Sequence, residues 1–176
     1  MDLTRIDLLL ARHSGLIRKV AWAYCRDATD REDVVQEIVV QLWRAQARFD
    51  PSLRESTWVA RIALNVAISF HRREQRHRRG RELLDEPLAS DGAVDGAAAA
   101  SRDEESTRLR AAIEQLGPLD RALVLLHLEG EEHMAIAATL GISVGNVATK
   151  LWRLKERLRG ALAPAVAGKE TRDGTR

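Results

Sequence analysis

Apolar residues recur at every third or fourth position through most of this chain, which is the spacing of one face of an α-helix. No segment shows the strict alternation of apolar and polar residues that a half-buried β-strand requires. Three apolar stripes occupy the first 80 residues and predict three helices, with Trp43 expected to anchor the core. The stripes comprise Leu9, His13, Leu16, Val20 and Tyr24; Val35, Ile38, Val39, Leu42 and Trp43; and Trp58, Val59, Ile62, Ala63, Val66 and Phe70.

This periodicity stops in the stretch LDEPLASDGAVDGAAAAS, which mixes Pro, Gly, Asp, Ser and Ala. Such a composition favours a flexible linker, which we place at residues 81–105. It separates one helical domain at 1–80 from a second at 106–160, and residues 161–176 have too little apolar content to pack. The predicted fold is therefore all-α, with two small helical domains joined by a flexible acidic linker.

The second domain carries the signals of a helix-turn-helix. Gly117 and Pro118 end one helix and start the next. Further along, the small residue Ala137 lets two backbones approach, Gly141 can take the positive φ of a tight turn, and Val147 packs the following helix onto the preceding one. In an all-helical context this spacing predicts two helices that cross steeply at residue 141.

The helix after that turn has a surface suited to DNA. Ser143 is placed to cap its start, an apolar stripe faces inward, and the opposite face combines amide, hydroxyl and cationic groups without an acid. Such groups can hydrogen-bond to base edges and phosphates in a major groove, whereas the alternative is an ordinary solvated amphipathic helix. The residues predicted to contact DNA are Ser143, Val144, Asn146, Thr149, Lys150, Arg153 and Arg157.

Basic and acidic residues are concentrated in different segments, although the net charge of the chain is only +2. The segment HRREQRHRRGR at 71–81 has six Arg and one Glu, whereas residues 82–105 have eight acids and one Arg. A basic block at the end of a helix suits a polyanion, although a solvated helix end gives the same pattern.

Several classes of protein are disfavoured by what the sequence lacks. The longest apolar runs are too short for a membrane span, and the N-terminus has no secretory signal pattern, so we expect a cytoplasmic protein without membrane insertion. The single Cys25 cannot form an internal disulfide and is expected to be buried. No Gly-rich phosphate loop, activated nucleophile or metal-ligand spacing is present, so we expect neither enzymatic activity nor a cofactor or metal site.

Four segments in order resemble the bacterial RNA polymerase sigma factors, in the extracytoplasmic-function group of the sigma-70 family. In the first half they are DREDVVQEIVVQLWRA and STWVARIALNVAISFHRR. In the second half they are IEQLGPLDRALVLLHLEG and IAATLGISVGNVATKLWRLKERLR. The resemblance covers nearly every residue from about 10 to 160 and implies a factor that directs core RNA polymerase to promoters.

This resemblance implies roles for individual positions. An exposed surface on the second helix matches the family's contact with core RNA polymerase. The segment 49–58 and the third helix match the part that opens the minus-ten promoter element, and the helix 143–159 matches the reader of the minus-thirty-five element. The family also implies an anti-sigma partner. The implied polymerase contacts are Asp33, Gln36 and Glu37, and the implied minus-ten contacts are Trp58, Arg61, Asn65, Arg72 and Arg73.

The chain departs from the family pattern at three places. Glu55 stands where these proteins usually have an apolar residue, and Leu64 stands where they often have Arg. Glu131, Glu132 and Ala135 replace the usual start of the first helix of the turn motif, and two carboxylates at a phosphate-facing helix end would weaken docking on DNA.

Two other functions remain open from the residues alone. One is a stand-alone regulator that binds an operator as a dimer, and the other is a helical adaptor that binds only protein. A dimeric regulator should bind duplex DNA by itself, whereas a sigma factor should bind it weakly until it joins the polymerase. For the sigma factor we expect the two tethered domains to dock separately on the polymerase, so that two weak readings combine.

Overall fold

The computed structural model describes residues 3–82 and 100–162, and every regular element in these ranges is a helix, as predicted. The first half contains three α-helices, with a short 3-10 turn at Gln46–Arg48 after the second. The second half contains four. The helices are α1 (Leu3–Tyr24), α2 (Ala28–Ala45), α3 (Glu55–Glu82), α4 (Ala100–Glu114), α5 (Pro118–Leu128), α6 (His133–Leu140) and α7 (Val144–Leu162).

The first half is a three-helix bundle in which α1, α2 and α3 pack against one another. On α2 the fully buried line is Val34, Ile38 and Leu42, which recur every four residues. The expectation that Trp43 anchors the core is wrong, because 42% of this residue is exposed. Since α1 and α3 cover only one narrow stripe of α2, Trp43, the residue after Leu42, lies outside that stripe.

Three glycines organise the second half. Gly117 caps α5 directly before Pro118, which occupies the first turn, as predicted. Gly130 and Gly141 both have positive φ, at +76° and +68°, and they lie in the turns that follow α5 and α6. The core between the helices includes Leu123, Leu126, Ile136, Val147 and Leu151.

Two helices extend into the predicted linker, one at each of its ends. Helix α3 continues to Glu82 and α4 begins at Ala100, so helical residues occupy both ends of the predicted linker 81–105. Residues 83–99 lie outside the described residues, as does the part of the predicted tail after Leu162. The flexibility of both segments stays a prediction.

The two halves pack against each other and share one continuous apolar core. Helix α1 contacts α4 and α5, and α3 contacts α5 and α6. Because α3 therefore has neighbours on two sides, its buried arc is wider than the predicted stripe and includes Ala60, Leu64 and Ala67. Leu64, which stands where the family often has Arg, therefore places an apolar side chain in this buried arc.

Glu55 and Glu131, at the other two departures, lie against distant parts of the chain. Glu55 accepts hydrogen bonds from Arg12 and His13 at 3.0 Å each, which ties the start of α3 to α1. Glu131 is directed toward the first half, where its Oε2 lies 3.9 Å from Nη1 of Arg54. Its carboxylate thus faces a cation of the first half without a hydrogen bond to it.

Helix α2 begins with a side-chain cap that can be tested. The Asp27 carboxylate accepts the backbone N–H of Asp30 at 2.8 Å, and this hydrogen bond lowers the pKa of Asp27 below its ordinary value of 3.8. We expect Asp27→Ala to reduce the free energy of unfolding at pH 7 by about 1 kcal/mol in urea denaturation. Since the folded-state pKa is lowered, this stabilisation is present above pH 3.8 and is lost as the pH falls through the lower folded value.

Thr29→Ala is the matched control, since Thr29 is exposed in the same turn. Equal stabilities of the two variants at pH 7 would contradict the capping role.

Candidate nucleic-acid interface

The turn between α6 and α7 has the geometry of a helix-turn-helix. Gly141 adopts the left-handed conformation and donates its N–H to the carbonyl of Ala137, and Ile142 donates to the same carbonyl at 3.2 Å. The chain bends by 101° between the two helices. Ala137 and Val147 are buried in the angle, as the spacing predicted.

Ser143 caps α7 as predicted, because its Oγ accepts the N–H of Asn146 at 3.3 Å. Asn146, Arg153 and Arg157 are exposed along the helix. Thr149 is exposed too, although its hydroxyl donates to the carbonyl of Gly145 at 3.0 Å. The face predicted to meet DNA is therefore open to solvent at these positions.

Lys150 differs from the other predicted contacts. Its ammonium forms an ion pair with Asp120 at 3.0 Å, and the residue is only partly exposed. This pair ties α7 to the first turn of α5. Lys150 therefore supports the position of the helix, and its charge is already partly neutralised.

The sequence analysis missed Trp152, which is 67% exposed beside Arg153. It lies one helical turn from Ala148 and two from Val144, so three exposed apolar side chains follow one edge of α7. The signal was available, because Trp152 falls outside the inward stripe of Val147, Leu151 and Leu154. Together the three side chains form an apolar edge that could be covered by another molecule.

In the first half, Trp58 sits at the start of α3 and is partly buried. Its ring meets that of Phe49 edge-to-face, with 5.0 Å between the centroids. Between them the chain turns tightly, since the Asp50 carboxylate accepts the N–H of Ser52 at 2.9 Å. This turn fixes the loop that carries Phe49 up to α3.

A groove of about 330 Å³ runs between α2 and α3. It brings Glu37, predicted to contact the polymerase, together with Asn65 and Arg73, predicted to contact the minus-ten element. Arg61 and Arg72 are exposed on α3 but do not line this groove. Its lining residues are Glu37, Gln41, Ala45, Ile62, Asn65, Val66, Ser69 and Arg73.

The basic block at the end of α3 presents exposed cations. Arg72, Arg73, Arg76 and Arg79 are exposed, whereas Arg78 is paired with Glu74 at 3.0 Å. Such a row of guanidinium groups suits the phosphates of a nucleic acid.

The inner side of the same segment faces the second half. There, burial lowers the pKa of His71, and the charge of Arg121 acts in the same direction. Its ring lies 6.0 Å from that of Tyr24 between centroids. The lowered pKa favours a neutral imidazole at neutral pH.

On the second helix, Asp33, Gln36 and Glu37 are all exposed. Glu37 accepts a hydrogen bond from Gln41 at 2.7 Å, which orients its carboxylate along α2. Val40 and Trp43 are exposed as well, so this surface combines polar and apolar groups.

No three His, Cys, Asp or Glu side chains of the described residues form a group that could hold a metal ion. No single described helix has the length and apolar content to cross a membrane, and α6 with α7 meets that criterion only as a sharply bent pair.

Comparison with known families matches both halves. Residues 9–77 match the model of sigma-70 region 2, and residues 106–158 match that of sigma-70 region 4. The chain is 31% identical over 160 residues to the ECF RNA polymerase sigma factor SigE of Mycolicibacterium smegmatis, covering 89% of this chain and 61% of that protein. It is also 31% identical over 165 residues to the RNA polymerase sigma factor CnrH of Cupriavidus metallidurans, covering 88% and 84%. The chain thus spans less than two thirds of SigE but most of CnrH.

Solved structures match over both halves. The structure of CnrH in complex with the cytosolic domain of CnrY has a TM-score of 0.68 at 25% identity, covering 92% of this chain and 89% of that one. The sigma factor RpoE in complex with the anti-sigma factor NepR from Bartonella quintana has a TM-score of 0.65 at 21% identity, covering 91% and 98%. At 21% identity, the likeness to RpoE shows only that the two chains share a fold.

Two glycines of the helix-turn-helix should respond oppositely to alanine. Neither has an atom within 4 Å of an added Cβ, but Gly141 has a positive φ. We expect Gly141→Ala to lower the free energy of unfolding by about 1 kcal/mol through backbone strain. Gly145 lies in the first turn of α7 without a positive φ, so Gly145→Ala should raise stability by up to about 1 kcal/mol. Thermal unfolding of both variants measures this, and a loss of stability in both would contradict the assignment.

Proposed function

The chain belongs to the extracytoplasmic-function sigma factors of the sigma-70 family, and from this we propose how its surfaces divide promoter recognition. It is a sigma factor in transcription initiation, and this family consists of non-catalytic factors rather than enzymes. The observation that carries the proposal is that the two family regions lie on separate halves, each with its own exposed polar and cationic surface. No observation favours the alternative of a dimeric operator-binding regulator.

We assign the reading of the minus-thirty-five element to α7. Near its N-terminus, Gly145 and Ala148 are small residues, which allows the backbone to approach base edges. Asn146 and Arg153 supply an amide and a guanidinium, the groups that recognise adenine and guanine edges. Arg157 is placed one turn further on, where a phosphate contact would fix the register of the helix.

We assign the opening of the minus-ten element to the first half. A base that leaves the duplex stack loses a few kcal/mol, which a stacking surface beside cations can restore. The Phe49–Trp58 pair offers the aromatic surface, and Arg61 and Asn65 are exposed on the same helix as Trp58. The basic block that follows would hold the phosphates of the displaced strand.

The surface on α2 is assigned to core RNA polymerase. Asp33, Gln36 and Glu37 are presented together with the exposed Trp43, a combination of polar rim and large aromatic group that is typical of protein interfaces. Since Glu37 also lines the groove with Asn65, the polymerase contact and the promoter contact would be adjacent.

An anti-sigma factor is the expected regulatory partner. The related CnrH is bound to the cytosolic domain of CnrY in its structure, and RpoE is bound to the anti-sigma factor NepR. We infer that such a partner holds this chain until a stress or another signal releases it to the polymerase in the cytoplasm. The exposed edge of Val144, Ala148 and Trp152 is a surface that a partner could cover.

Binding to core RNA polymerase tests the central assignment. We expect the fluorescently labelled full chain to bind bacterial core enzyme in an anisotropy titration, and Gln36→Ala and Glu37→Ala each to weaken binding at least several-fold. Asp7→Ala, which removes an exposed carboxylate from α1, is the control and should bind as the wild type does. Absence of binding by a folded wild-type chain to a core enzyme from a close bacterial source would contradict the sigma-factor function.

The two promoter assignments predict different defects. Arg153→Ala should weaken binding to promoters that carry the upstream element by about 10- to 100-fold, equivalent to about 1–3 kcal/mol, because it removes a charged contact to DNA. Arg159→Ala is its control, since Arg159 lies further along the same helix and is paired with Glu156. Electrophoretic mobility shifts of the assembled holoenzyme measure both.

Trp58→Ala should leave polymerase binding intact but impair strand opening, measured by permanganate reactivity of the minus-ten region. A promoter that is mismatched over this region needs no melting, so it should restore transcription by this variant. Normal opening of the duplex promoter by the Trp58→Ala holoenzyme would rule out the assignment.

A further inference from the structure

Helix α7 has two different flanks beside the face assigned to DNA. Successive residues of an α-helix point about 100° apart. Around the helix axis, Trp152 is therefore about 100° from the buried Leu151 and about 100° from Arg153, which places it between the core and the DNA face. On the opposite flank, Lys150 is paired with Asp120. That flank is joined to α5, whereas Trp152 faces solvent.

The flank of Trp152 is apolar along its length, and we call the residues Val144, Ala148 and Trp152 the apolar flank. They follow one another at intervals of four residues, which places them along one side of the helix. Val144 is 44% exposed and Trp152 is 67% exposed, and Ala148 between them is exposed as well. Such a strip is stabilised when another molecule removes it from water.

Cations border the apolar flank. Arg153 follows Trp152 directly, Lys155 lies about one turn further along, and both are exposed. The one acid of α7 is Glu156, and its carboxylate accepts a hydrogen bond from Arg159. A partner that fits this surface must therefore present apolar groups beside negative charge.

Duplex DNA presents this combination in its major groove. Thymine carries its C5-methyl group there, which is the apolar group among the polar base edges, and phosphates line the groove. The methyl group lies on the side of the base that is nearest to the backbone of its own strand. A side chain on the flank of an inserted helix can therefore contact it, while side chains on the polar face contact the hydrogen-bonding groups of the bases.

We propose that the apolar flank of α7 reads thymine, with Trp152 and Ala148 in contact with C5-methyl groups of the minus-thirty-five element. The inference rests on the proposed function and adds an apolar reader to the polar one. In that function Asn146 and Arg153 recognise bases through hydrogen bonds, whereas the apolar flank selects them through the burial of methyl groups. Loss of a methyl group breaks no hydrogen bond, so the discrimination at each thymine is modest.

The test uses holoenzyme assembled from the full chain and bacterial core RNA polymerase. Selection from a DNA library randomised over both promoter elements first identifies the sequence that the wild-type holoenzyme binds. Each thymine of the minus-thirty-five element is then replaced by deoxyuridine, which pairs with adenine in the same way but lacks the methyl group. Electrophoretic mobility shifts give the affinities of the wild type and of Trp152→Ala for each duplex.

We expect deoxyuridine at one or more of these thymines to weaken binding by the wild type about 4-fold. Trp152→Ala should bind the unmodified promoter about 10-fold more weakly and should not respond to deoxyuridine at the same position. Trp152→Phe, which retains an aromatic ring, should keep part of the response. Leu8→Ala is the matched control, because it removes an apolar side chain that is 54% exposed on α1, and it should behave as the wild type does.

An undiminished response to deoxyuridine in the Trp152→Ala holoenzyme, with folding verified by circular dichroism, would overturn the inference. A selected element in which no thymine responds would overturn it as well. Anisotropy with core polymerase should give equal affinities for Trp152→Ala and the wild type, and a loss of affinity there would assign the apolar flank to the polymerase instead of DNA.

Arg153→Ala keeps this inference distinguishable from the proposed function. It should weaken promoter binding whether or not the thymine methyl group is present, because it removes a polar contact. A defect in Arg153→Ala without one in Trp152→Ala would overturn the reading of thymine and leave the assignment of α7 intact. Failure of the wild type to bind core polymerase would overturn the proposed function and, with it, this inference.

Discussion

The carbonyl end of α1 is the constraint on which the arrangement of this protein depends. A helix that ends at Tyr24 directs unpaired carbonyls into the space where the second half packs, so the chain must either hydrate them or supply donors. Arg110 and Arg121 are the donors, and their guanidinium groups also complement the negative end of the helix dipole. Burial of Arg121 in turn requires that α1 be in place, so the two halves satisfy each other.

In the proposed function, two exposed surfaces on different halves divide promoter recognition between them. Each half alone presents a modest set of contacts, the cations of α3 in one and the polar face of α7 in the other. Useful specificity arises only when both sets act together at the correct separation, because linked weak sites multiply their effects.

The sequence predicted the parts that depend on local chemistry. Positive φ at Gly141, the cap at Ser143 and the buried Val147 follow from residues within a few positions of one another, and all were found. The second buried side of α3 was not predicted, because Ala60 and Leu64 face neighbours that are distant in sequence. Arg121 likewise gave no signal, since a bond from a guanidinium to a backbone carbonyl 98 positions away leaves no periodic pattern. The sequence predicted Lys150 as a DNA contact, but it could not show that the ammonium pairs with Asp120, 30 positions earlier.

The distance between the halves, measured in the free protein, tests this account most directly. Spin labels on Ala47→Cys and Ala138→Cys, both exposed positions, would report it by pulsed electron paramagnetic resonance, while the buried Cys25 remains unlabelled. The account predicts one short and narrowly distributed distance in the free chain, because the two halves share one apolar core. A long or broadly distributed distance would contradict it.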